Sequence, residues 1–413
     1  VSPDQTHPLE RLVIVGAGMA ANRFIGELAE RCPDRYAVTV IGAEPHRPYN
    51  RILLSPLLGG EKHIDDLILT ESSALPGVSF HLGDPVAGID REQRIAITAS
   101  GARFPYDKLM LCTGSDPIRP KLPGSDLPGV FTFRDRADAD ALIAASAGET
   151  ARRAVVVGGG LLGLEAACGL ARRGMTVAVV HLMDWIMERQ LDPAAGALLQ
   201  ASLESRGVAV VTTAETEAIL GEDHATGLRL KDGRILPADL VVFAIGVRPN
   251  TALAKSAGLA VARGILVDDA LTTSDPVILA IGECVEHRGA IYGLVAPLWE
   301  QAAVAAAVLA GDADCRYGGS MTSTSLKVTG VELFSAGDIQ AAADVEEIVF
   351  EDTEAGIYRK LVVRGGRLAG AVLLGDARDG NWYLDLIRGG ADIGSFRGDL
   401  VFGRDFITAE AAE

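Results

Sequence analysis

Leu12-Val13-Ile14-Val15-Gly16-Ala17-Gly18-Met19-Ala20-Ala21 decides the reading of this chain. Four apolar residues run into a glycine pair, as a buried parallel strand does when it turns at once into a helix. Gly16 allows the tight turn, Gly18 lets backbone N–H groups close on a phosphate, and the small Ala21 lets helix and strand pack. The helix N-terminus, entered through Met19 and Ala20, adds partial positive charge, so the pattern suits a dinucleotide's pyrophosphate. A helical pattern with Phe24, Ile25 and Leu28 on one face continues to Glu30, and Ala37–Ile41 is the next strand. Glu44 follows it, where a carboxylate can hold a ribose.

The same βαβ design returns later in the chain. Ala154–Val157 runs into Gly158-Gly159-Gly160-Leu161-Leu162-Gly163, a helix reaches Arg173, and Val177–Val180 is a strand. At its end stands His181 instead of an acid. No arginine follows directly to favour a 2′-phosphate, so the reading leans to NADH with NADPH open. Two turns imply two dinucleotides, one held and one exchanged, which suits FAD and a nicotinamide nucleotide.

The 413 residues are too long for one core. A hydrophobic share of 48% and a charged share of 23% are those of a globular chain. The formal charge of -17 disfavours nucleic acid and anionic lipid as partners. Five scattered cysteines form no CxxC pair, so neither a disulfide framework nor a cysteine-ligated metal is expected. Val1 to Arg11 is polar and lacks a signal peptide's order, and no apolar run of about 18 residues occurs, so the expected compartment is the cytoplasm.

Pro117–Pro128 is rich in proline and glycine and marks a crossing between domains. The expected fold class is α/β, with two Rossmann-like domains and a small α+β C-terminal domain. The first takes residues 1–118 and 240–314, the second 119–239, and the last 315–413, where short alternating strands such as Ser325–Phe334 and Arg359–Val363 appear. Asp192 before Pro193 reads as a helix N-cap.

Further strings carry a family resemblance. Leu111-Cys112-Thr113-Gly114-Ser115 resembles the A-T-G segment of two-dinucleotide flavoprotein reductases. Ala244-Ile245-Gly246-Val247-Arg248-Pro249-Asn250 resembles their second such segment, and Ile281-Gly282-Glu283-Cys284 their G-D motif, with Glu283 for the usual aspartate. Tyr49–Ser55, Met187–Asp192, Gly282–Gly289, Tyr292–Pro297, Leu326–Val331 and Phe334–Asp338 are similar to the flavin module of assimilatory NAD(P)H nitrite reductases.

The resemblance implies that Thr113, Gly114, Gly282 and Glu283 help hold FAD, with Arg51 at its phosphates or flavin edge and Val86 at the adenine. It further implies Arg134 and Trp299 against FAD, a helix started by Pro297 pointing at the flavin, Gly246 on the nicotinamide nucleotide, and Glu165 beside the nicotinamide. Glu165's usual lysine partner is missing, because Pro56 follows Leu54-Ser55; a redox cysteine of related oxidases is missing there too. Cys284 reads as a packing residue first and a redox residue second. No general acid or base is expected, since hydride transfer needs stacking and water exclusion.

The iron–sulfur and sirohaem modules that follow in nitrite reductases find no cysteines after Cys315. The resemblance therefore implies an electron-transfer reductase serving a redox protein, such as a nitrate or nitrite reductase subunit, a rubredoxin or a ferredoxin. A rubredoxin or ferredoxin reductase is the alternative to a role in nitrate or nitrite assimilation; a flavin-bound signalling protein and a flavin oxidase that reduces oxygen are further ones.

Overall fold

The computed structural model describes residues 9–70, 77–148, 152–328, 331–340 and 344–407. The polar start, Val1 to Pro8, and Thr329-Gly330 of the C-terminal string lie outside the described residues. The chain forms two compact units: residues 1–53, 63–116 and 247–320, and residues 54–62, 117–246 and 321–413.

The first unit is built on a parallel sheet. Its order is Ile278–Ala280, Lys108–Leu111, Glu10–Val15, Tyr36–Gly42, Val78–Leu82. Both faces of the sheet are covered, which explains the unbroken apolar run of the central strand. Leu12 and Ile14 pack against Phe24, Ile25 and Leu28 of the helix Met19–Arg31, and against Leu298, Ala302, Ala305 and Leu309 of the helix Val295–Ala310. Val13 and Val15 face the other side, where Ala96 and Phe104 of an antiparallel meander, Val86–Pro105, cover them.

The second unit repeats this plan. Its parallel order is Val208–Val211, Thr176–Val180, Arg153–Val157, Leu240–Phe243, Val130–Thr132. The helix Leu161–Arg172 follows the central strand, and a meander, Thr216–Pro237, covers Val155, Val157 and Phe243. The sequence reading returns to the first domain at residue 240, whereas Leu240–Phe243 pairs with Ala154–Val157 and the second unit runs on to Gly246.

The two central strands are pinned alike. Arg11 donates its backbone N–H and its guanidinium to Asp107, just before Lys108–Leu111. Arg153 does the same to Asp239, just before Leu240–Phe243.

The second unit also holds a five-stranded antiparallel sheet, ordered Ser323–Val328, Val331–Gly337, Arg367–Leu374, Ile357–Arg364, Glu346–Asp352. The helix Gly380–Gly389 closes it, packing its Tyr383, Leu384 and Ile387 against Phe334, Leu361 and Leu373 of the sheet. The expected strand at 325–334 is thus two strands. Asp192 caps the helix Pro193–Glu204 through the Ala195 N–H at 3.0 Å, as expected, and also accepts a bond from the Tyr358 hydroxyl at 2.9 Å.

Candidate functional site

The turn at Gly16 has the geometry its sequence asks for. Gly16 sits at φ +109°, where an L side chain is strained, and a Cβ there would lie 2.2 Å from the Cys112 carbonyl oxygen. The strand end and the Cys112-Thr113-Gly114 segment therefore meet backbone to backbone. Gly18 is the N-cap of the helix Met19–Arg31, and a Cβ there would meet nothing within 4 Å. An uncapped helix start beside open space leaves the N–H groups of Met19, Ala20 and Ala21 facing outward, which fits a phosphate.

Gly282 joins this turn: a Cβ on it would lie 3.3 Å from the Ala20 Cβ. Its N–H donates to Gln301 Oε1 at 2.7 Å, tying the turn to the helix Val295–Ala310. Glu283 is buried and accepts the Ser115 hydroxyl at 2.5 Å, so its longer side chain is held by a serine. Thr113 donates to the Asn250 carbonyl at 2.8 Å. Glu44, beyond the second strand, accepts from Tyr49 at 2.7 Å and pairs with Arg51. Cys284 is fully buried with Sγ 3.3 Å from the Ile281 carbonyl oxygen, and burial pushes its thiol up, which keeps it protonated.

Other predicted residues of this site are more scattered. Val86 opens the meander and is half-buried. Trp299 is 45% exposed. The helix expected from Pro297 begins earlier, at Val295; Pro297 lies in its first turn, where a missing N–H costs no intrahelical bond. Arg134 belongs to the second unit, after the buried Phe133.

The turn at Gly158 is a second copy. Gly158 has φ +120°, and a Cβ there would lie 2.3 Å from the Ala244 carbonyl oxygen. Gly163 is pressed onto the turn, since its Cβ would lie 1.9 Å from the Gly158 oxygen. Gly160, the N-cap of the helix Leu161–Arg172, faces open space. Among the described residues no side chain caps either helix start, and neither first turn, Met19 onward or Leu161-Leu162 onward, carries an acid. Gly246 accepts the Ile118 N–H at 3.0 Å with φ +110°.

Two details here escape sequence reading. Glu165, whose usual lysine partner the sequence lacks, is buried and accepts the Ser55 hydroxyl at 2.7 Å. Their separation of 110 residues leaves no local signal. His181 is also buried, and its ring bonds both the Gly159 N–H, at 3.0 Å, and Glu188, at 3.1 Å.

Both sites suit dinucleotides: phosphates at the two glycine-led helix starts, and carboxylates near each second strand. Among the described residues no three His, Cys, Asp or Glu side chains gather to hold a metal ion, and no helix is long and apolar enough to cross a membrane.

Comparison with known proteins agrees. A family model described as pyridine nucleotide-disulphide oxidoreductase matches residues 10–307, and one described as the rubredoxin NAD+ reductase C-terminal domain matches residues 323–391. The chain is 47% identical to "Nitrite reductase [NAD(P)H]" of Bacillus subtilis over 93% of its own length and 48% of the relative's. It is 42% identical to the "Assimilatory nitrate reductase electron transfer subunit" of the same species, over 93% of this chain and 50% of the relative. It thus spans about half the length of these curated relatives. A solved ferredoxin reductase from Rhodopseudomonas palustris superposes with a TM-score of 0.83 at 27% identity, covering 95% of this chain and 100% of that one. The chain belongs to the pyridine nucleotide-disulphide oxidoreductase family.

Proposed function

We propose that this chain takes electrons from NADH and delivers them, by way of FAD, to a redox protein of nitrate or nitrite assimilation. The observation that carries the reading is the pair of uncapped, glycine-led helix starts, each at the end of a parallel sheet and each opening on free space. The relatives' names, nitrite reductase and nitrate reductase electron transfer subunit, supply the pathway. Nicotinamide nucleotides are plentiful in the cytoplasm, which is the compartment we assign.

FAD, when bound, supplies the conversion of a two-electron hydride into single electrons. The protein's part is positional. In the first unit, the N–H groups after Gly18 would hold the pyrophosphate, Glu44 a ribose, and Glu283 the ribityl chain. Ser115 and Gln301 keep Glu283 and Gly282 in place. In the second unit the N–H groups after Gly160 would hold the nicotinamide nucleotide's pyrophosphate. Glu165, buried and fixed by Ser55, would lie beside the nicotinamide as an orienting group. None of these residues must give or take a proton.

A second reading is a rubredoxin or ferredoxin reductase, favoured by the match of residues 323–391 to a rubredoxin NAD+ reductase C-terminal domain. Anaerobic addition of NADH to the purified yellow protein tests both. The flavin absorbance should bleach within seconds; persistence of the yellow colour would sink the reductase reading. Reoxidation by a nitrite or nitrate reductase component, faster than by rubredoxin, separates the first reading from the second.

A further inference from the structure

The sequence places a histidine where a ribose-reading acid is expected, and the structure shows what that histidine does. His181 ends the strand Thr176–Val180 and lies against the glycine turn: a Cβ on Gly159 would be 2.9 Å from its Cγ. The Gly159 N–H donates to His181 Nδ1 at 3.0 Å. That nitrogen must therefore accept, which leaves Nε2 to carry the proton and donate to Glu188 Oε2 at 3.1 Å.

Glu188 is held from a second direction. Its neighbour Met187 is fully buried at φ +54°, a conformation few non-glycine residues adopt. The Met187 N–H donates to the Gly159 carbonyl at 2.9 Å. The Gly159 carbonyl thus docks the segment carrying Glu188 directly, and the Gly159 N–H fixes the His181 ring that holds Glu188. Sequence distance is crossed by design: the acid comes seven residues after His181. Its side chain keeps 24% exposure, and Oε1 lies 3.9 Å from the Nε of the exposed Arg189. Asp184, the other carboxylate of the segment, takes the Thr213 hydroxyl at 3.2 Å instead.

We infer that Glu188, positioned by His181, receives the adenosine ribose hydroxyls of the nicotinamide nucleotide and excludes a 2′-phosphate. This rests on the reading of the Gly158 turn as the nicotinamide site. A carboxylate accepts from a ribose hydroxyl and repels a phosphate placed at the same point. The role normally filled by an acid at the strand end is filled here by a histidine–glutamate relay, with His181 as the positioning residue and Glu188 as the specificity-determining one.

The test is calorimetric titration of NAD+ and of NADP+ into oxidised, FAD-loaded protein, wild type and Glu188→Gln. Flavin content and melting temperature verify that the variant is folded. Wild type should prefer NAD+. Glu188→Gln should weaken NAD+ binding by about tenfold, the loss of a charge-assisted hydrogen bond. It should also tighten NADP+, because Arg189 no longer has a carboxylate beside it, so the preference collapses. An unchanged NAD+/NADP+ ratio in Glu188→Gln would overturn the assignment while leaving the nicotinamide site standing. If wild type binds neither nucleotide, the reading of the Gly158 turn fails and the assignment fails with it.

Discussion

Gly163 and Gly160 stand three residues apart in one motif and carry opposite constraints. An alanine at 163 would press its Cβ to 1.9 Å from the Gly158 oxygen, whereas one at 160, with φ -82°, meets open space. Gly163→Ala should therefore lower stability by ~1–3 kcal/mol, the usual cost of overpacking, while Gly160→Ala leaves the melting temperature almost unchanged. Paired thermal melts check this; equal destabilisation by both would contradict the geometry. Positions like these were legible in the sequence, because the turn's backbone dictates them locally. Ser55 against Glu165 was not legible, since a side-chain contact across 110 residues leaves no periodicity to read. His181 was legible as an oddity, but its link to Glu188 needed the left-handed turn at Met187 to bring the two together.

At the scale of elements, the central strand of each parallel sheet is entered through one arginine–aspartate pair. The Arg153 guanidinium, helped by the Arg152 and Arg153 N–H groups, holds the Asp239 carboxyl down from 3.8 to about 2. Arg11 likewise brings Asp107 to about 2. A carboxylate with a depressed folded pKa stabilises the fold fully above its unfolded value and loses that contribution as pH falls through the folded one. The window is therefore from about pH 4 down to about pH 2. Asp239→Asn should lower stability at neutral pH and flatten its fall across that window, read by melts at stepped pH. An acid limb as steep as that of wild type would show that the pair does not pin the strand. The strands themselves were readable from their apolar runs. The pins were not, because Arg11 and Asp107 are 96 residues apart and Arg153 and Asp239 are 86 apart.

For the whole molecule, the sequence revealed a repeated βαβ design and hence two dinucleotide domains. It was less informative about where the chain passes from one to the other. A parallel sheet recruits strands from distant segments, so Ile278–Ala280 returns beside Lys108–Leu111, while Leu240–Phe243 stays with Arg153–Val157. An apolar strand running into glycine looks the same in either sheet, and only pairing assigns it. The helix Leu54–Leu58 joins the second unit because Gly169 is small enough to seat Leu58: a Cβ there would lie 3.0 Å from the Leu58 Cγ.

The central claim is that two turns of one design do unequal work, Gly16 for a retained FAD and Gly158 for an exchanging nicotinamide nucleotide. Flavin content, followed by anaerobic NADH titration, tests it in Gly16→Ala and Gly158→Ala, each of which puts a Cβ within about 2.3 Å of a carbonyl oxygen. The expected result is crossed: Gly16→Ala is purified without flavin, while Gly158→Ala keeps its yellow colour but is no longer bleached by NADH. Flavin lost from Gly158→Ala and retained by Gly16→Ala would contradict the account.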